Sequence, residues 1–68
     1  SLKGKQLLQY ESLAESFYYE YNLQEAIVQM DMAVRAIDGK FYEKSRVESR
    51  LKQLQKEKEI YEISKANL

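Results

Sequence analysis

NLQEAIVQMDMAVRAIDG, residues 22–39, is the stretch whose reading decides the fold. Leu23, Ala26, Ile27, Met30, Ala33, Val34 and Ile37 recur in steps of three and four, which places them on one stripe of a helix. Asn22 reads as the N-cap, its side-chain oxygen accepting from an amide that the helix itself leaves unpaired. Glu25, three residues on, completes a capping box. Asp38-Gly39 closes the segment, with Gly39 expected to supply the left-handed residue past the helix end.

Upstream, Leu7, Tyr10, Leu13, Ala14, Phe17, Tyr18 and Tyr21 follow the same period and predict a first helix over about residues 5–21. So short a connection makes the two helices antiparallel neighbours. Downstream, a third helix is expected over residues 41–66, reaching nearly 40 Å at about 1.5 Å per residue. Val47, Leu51 and Leu54 give it an apolar seam, which Lys58 interrupts before Ile60, Tyr61 and Ile63 restart it on a rotated face. Lys44 with Glu48, Glu48 with Lys52, and Lys58 with Glu62 are pairs four apart that support it locally. The part from Phe41 to Leu54 should pack on the hairpin and the tail after Lys56 should overhang it. The expected fold is therefore all-α: one unit over residues 1–68, with a hairpin at about 5–38 and a long capping helix at 41–66.

Composition agrees with helix and removes several functions. The 68 residues include no proline, cysteine or histidine and only two glycines, and 32% are charged. Without Cys or His there is no disulfide, no thiolate metal site and no imidazole base. A chain this short buries only about 60% of its unfolded surface, so a partner, self-association or a larger protein is the expected source of extra stability. No run is apolar enough to span a bilayer, and no basic-apolar-small signal peptide is present.

The net charge is zero but unevenly spread. Residues 6–34 carry five acids (Glu11, Glu15, Glu20, Glu25, Asp31) and no base, whereas residues 40–58 carry seven bases against three acids. The basic stretch could face nucleic acid or anionic lipid. The simpler reading sets it beside the acidic first two helices, because no aromatic is interleaved between Lys44 and Lys58 for base stacking. Binding to nucleic acid and membrane insertion are not expected.

The hairpin's spacing resembles a tetratricopeptide repeat, a helix-turn-helix of about 34 residues with fixed small and large positions. Tyr10 stands at the opening aromatic, Leu13-Ala14 at the Leu-Gly pair and Phe17 at the next aromatic. Leu23 opens the second helix, and Ala26 and Ala33 fall on the small positions with bulky Met30 between. Tyr21 replaces the usual turn glycine, and Asp38 stands where proline commonly closes the repeat. About three repeats are needed to bury a continuous core, so a lone one implies a terminal piece of a larger protein, capped by the third helix. Phe41-Tyr42, then Arg46-Val47, Arg50-Leu51 and Leu54, also resembles the closing helix of periplasmic BepA-like bacterial zinc metalloproteases with a tetratricopeptide tail. That resemblance implies a non-catalytic tail. Any zinc would be held by a His-Glu-x-x-His helix in an upstream domain, and a periplasmic location would follow.

No residue set here reads as catalytic. Glu11 and Glu15 share a helix face but lack a pocket and an orienting partner, and the serines have no base to activate them. No metal or cofactor is expected. In tetratricopeptide arrays the first helix lines the peptide groove, which by resemblance assigns Leu8, Glu11, Glu15, Tyr18 and Tyr19 to a partner-binding face. Tyr18 and Tyr19 could equally cover a neighbouring repeat. The carboxylate clamp of chaperone-binding repeats is absent, since Glu11, Ser12 and Glu15 occupy its Lys and Asn positions. Ile60, Tyr61 and Ile63 are the expected self-association residues. Three functions follow: the partner-binding tail of a larger, proteolytic enzyme; a free-standing adaptor that dimerises; and a structural cap without ligand.

Overall fold

A computed structural model describes residues 5–66, which form three helices and no strand: α1 (Gln6–Tyr19), α2 (Leu23–Arg35) and α3 (Phe41–Ala66). The all-α hairpin followed by a longer helix is as expected. α2 is the middle element. Both α1 and α3 pack against it, and α1 meets α3 chiefly through long side chains.

The core shows why the sequence folds this way. Leu7, Ala14, Ala26, Met30, Ala33, Ala36, Val47 and Leu54 are its buried residues, ringed by half-buried Tyr10, Phe17, Tyr18, Leu23, Ile27, Val34 and Leu51. Every buried side chain among the described residues is apolar. Ala14, Ala26 and Ala33 let the helix backbones approach, and Met30 and Leu54 fill the gaps between them. Four apolar residues depart from the expected stripes. Leu13 sits half exposed at the edge, and Tyr21, Ile37 and Phe41 are largely exposed. Phe41, the first residue of α3, is 88% exposed and so is not packed on the hairpin.

The helix ends also differ from expectation. The Asn22 side chain accepts from Glu25 N–H at 3.2 Å, as an N-cap should. Glu25 does not return the bond, because Asn22 N–H already donates to Phe17 O at 2.9 Å, beside Tyr21 N–H to Tyr18 O at 3.0 Å. Those two bonds are the Schellman closure of α1, and Tyr21 holds its left-handed residue at φ 63°. Gly39, by contrast, is not left-handed. Its hydrogen is required by crowding, since a Cβ there would lie 2.5 Å from Leu7 Cδ1 and 3.0 Å from the Lys44 side chain. α2 ends at Arg35, with Ala36 extended at φ −61°, ψ 132°.

α3 starts with Glu43 accepting from Lys40 N–H at 3.0 Å, the returning half of a capping box. Of the pairs expected along it, Lys58–Glu62 forms at 2.7 Å. Lys44–Glu48 and Glu48–Lys52 are not among the ion pairs of the described residues, and Lys44 lies instead over Gly39. The length of α3 makes the molecule elongated, 47 × 21 × 13 Å with a radius of gyration of 13.0 Å, against about 11 Å for a compact domain of this size.

Candidate functional site

α1 and α3 run parallel and are linked by a ladder of side chains. Arg46 grips Glu11 with two bonds of 2.9 and 2.7 Å, and one turn on Arg50 grips Glu15 with bonds of 2.8 and 3.0 Å. The Arg50 guanidinium also lies 4.8 Å from the centre of the Tyr18 ring. Tyr18 in turn donates its hydroxyl to Glu57 at 3.0 Å. Accepting that bond, Glu57 pushes the Tyr18 hydroxyl above its ordinary pKa, because ionising it would break the bond and set two negative charges together. Glu11 and Glu15 likewise raise Arg46 and Arg50, chiefly through their hydrogen bonds.

The ladder accounts for part of the uneven charge: two arginines of α3 face two acids of α1. It also engages part of the expected partner-binding face. Glu11 and Glu15 are bound by arginines of the same chain and do not form an acidic groove. Tyr18 is engaged on its face by Arg50 and at its hydroxyl by Glu57. Only Leu8 and Tyr19 of that set remain exposed, and they are more than two turns apart.

A free aromatic surface that takes in Tyr18 and Tyr19 of that set lies in the corner where the α1–α2 turn meets the overhanging part of α3. A groove of about 900 Å³ opens there, walled by Tyr18, Tyr19, Tyr21, Leu23, Glu57 and Tyr61. Of the chain's six tyrosines, four meet at this corner. Tyr19 is 79%, Tyr21 96% and Tyr61 61% exposed. The Tyr18 and Tyr19 rings stand edge to face at 6.0 Å, a favourable arrangement that fixes the wall. Lys58 and Glu62, paired with each other, form the far rim.

The residues expected to drive self-association all belong to exposed surface of the overhang. Tyr61 faces the corner. Ile63 borders a smaller cleft with Gln24 and Ile27. Sequence reasoning missed Tyr21, Glu57 and the corner as a unit. The available signal was Tyr21 itself, a bulky residue where a turn glycine belongs.

Among the described residues no group of His, Cys, Asp and Glu is placed to hold a metal. No helix of those residues is long and apolar enough to cross a membrane. In comparisons with known proteins, the chain matches no protein-family model, no curated protein and no solved structure.

Proposed function

We propose that this chain is a non-catalytic protein-interaction module of tetratricopeptide type, serving as the partner-binding tail of a larger protein. The observation that carries the interaction reading is the corner groove, where tyrosines 19, 21 and 61 are left largely uncovered by their own chain. Tyrosine is costly to leave in water and good at anchoring a partner, since it buries much area with only two rotatable bonds.

The repeat reading is supported by a register. Glu11 to Arg46 and Glu15 to Arg50 are both offsets of 35 residues between parallel helices. Successive first helices of a tetratricopeptide array are parallel and about 34 residues apart. α3 therefore lies as the first helix of a following repeat would. Buried Ala26 and Ala33 at the small positions support the same reading.

A defined peptide panel, varied in charge and apolar content, tests the module. Saturable binding that Tyr61→Ala abolishes is expected; no binding by any member overturns the interaction reading. The proposed setting, the periplasmic tail of a bacterial zinc metalloprotease, is tested by reading the full-length coding sequence. An upstream His-Glu-x-x-His supports it and its absence there excludes it.

A second reading, a free-standing adaptor that dimerises, is favoured by the exposure of Ile60, Tyr61 and Ile63 on one overhanging helix. Sedimentation equilibrium of the wild type and of Ile60→Ser/Ile63→Ser decides it. A monomer at every concentration removes the dimer.

A further inference from the structure

We infer that the corner groove takes a cationic side chain, arginine above all, presented by a partner polypeptide. The inference rests on the interaction reading above and names the chemistry that its groove selects.

Aromatic ring faces are negative at their centres and attract guanidinium and ammonium groups. The molecule already uses this attraction once, with Arg50 stacked 4.8 Å from the Tyr18 centroid. Tyr19, Tyr21 and Tyr61 present further rings to the same space, and among the described residues no cation is stacked on them.

Three charged side chains line the groove, Glu57, Glu62 and Lys58. Lys58 is tied to Glu62 at 2.7 Å, which leaves Glu57, with Arg50 as its nearest charge but no direct ion pair among the described residues, as the lining carboxylate open to a ligand. One Glu57 oxygen accepts from the Tyr18 hydroxyl, and its second oxygen remains to accept from a ligand.

The helix ends reinforce that sign. α1 finishes at this corner with no basic residue in its last turn and Glu20 at its cap. The negative end of a helix dipole is ordinarily complemented by a cation, and the last turn of α1 carries none of its own. α2 begins at the same place, and a positive helix end left open attracts an anion. This one is instead closed by the Asn22 side chain, with Glu25 in its first turn. An anionic ligand would meet Glu57 and the ring faces; a neutral one would leave Glu57 unused. A planar guanidinium can stack on a ring and donate to a carboxylate at once, which is why arginine is preferred to lysine.

The test is a nuclear magnetic resonance titration of the labelled chain with two short glycine–serine peptides. One carries a central arginine and the other citrulline, its neutral isostere. The arginine peptide should shift resonances of Tyr19, Tyr21, Asn22 and Tyr61 and bind about fivefold tighter or more than its twin. Tyr61→Ala and Glu57→Gln, both at exposed positions, should each erase that preference while helix content stays unchanged. Equal binding of the two peptides overturns the cation inference and leaves the interaction module standing. No shift at the corner, while other peptides of the panel bind the chain, removes the corner as the site. Failure of every peptide overturns both.

Discussion

The carboxylate of Asp38 closes the helix that contains Leu7. It accepts from Gln6 N–H at 2.6 Å and from Leu7 N–H at 3.1 Å, across separations of 32 and 31 residues. Lys5, the residue in the N-cap position, gives no side-chain bond, and the first turn of α1 contains no acid. A distant residue thus does what a local Ser, Asp or Asn ordinarily does, and adds a negative charge at the positive end of the helix dipole. The same contact holds the α2–α3 connection against the start of α1. Leu7, buried beneath Gly39, completes the clasp.

Asp38→Ala should therefore destabilise the chain by about 1–2 kcal/mol, the upper range for loss of an N-cap, because two amides lose their acceptor. Asp38→Asn, which keeps one acceptor oxygen but not the charge, should cost roughly half as much. Urea denaturation followed by circular dichroism measures both. Wild-type midpoints for both variants would mean that Asp38 does not close α1.

The close-packed alanines make a second prediction. Ala26 and Ala33 are fully buried where α2 meets its neighbours, so a larger side chain has no space to enter. Ala26→Leu or Ala33→Leu should cost roughly 1–3 kcal/mol through overpacking, a large fraction of the stability of a domain this small. Thermal melts that match wild type for both would show that the helices are not in close contact there.

The helices and most of the core were legible because periodicity is a local property. Met30, Ala33, Val47 and Leu54 declare their faces through their immediate neighbours. The clasp was not legible, since nothing near Asp38 says that its partners are Gln6 and Leu7. Gly39 could be recognised as obligatory but not for the right reason: a missing side chain serves a left-handed turn and a crowded contact equally well. Glu11 and Glu15 read as lacking an orienting partner because their arginines lie on another helix. Two acids four apart, matched by two arginines four apart 35 residues later, was the pattern that could have joined them. The corner groove depends on how far α3 runs past the α1–α2 turn and on its rotation there, which the broken seam after Leu54 does not define.

Tyr18 offers a titration test. Its hydroxyl donates to Glu57, which raises its pKa in the folded chain, with desolvation adding a little and Arg50 opposing. The sign follows: a group that holds its proton more tightly when folded contributes stability below its unfolded pKa, about 10 for tyrosine. That contribution is lost as the pH rises through the higher folded value. Glu57→Gln should lower the Tyr18 pKa, read from its ring resonances, and remove that alkaline component. An unchanged Tyr18 titration in the variant would show that the hydroxyl does not bond Glu57 in solution.

Tyr21 carries the last prediction. It holds φ at 63° in the Schellman closure of α1, the one non-glycine residue in that region among those described. A left-handed backbone costs an ordinary L-residue about 1–2 kcal/mol relative to glycine. The ring recovers little of this through packing, being 96% exposed. Tyr21→Gly should therefore stabilise the chain, by about 0.5–1 kcal/mol once the greater entropy of unfolded glycine is subtracted. A strained residue whose side chain contributes nothing to the fold points to a role outside it. If the corner binds an arginine-bearing segment, the same substitution should weaken that binding while raising the melting temperature, a trade of function against stability. Calorimetry and peptide titration on one variant read both effects. A gain in stability with unaltered peptide affinity would take Tyr21 out of the site and leave the groove to Tyr19, Tyr61 and Glu57. A loss in stability would mean that the ring packs in solution against something that its exposure does not reveal.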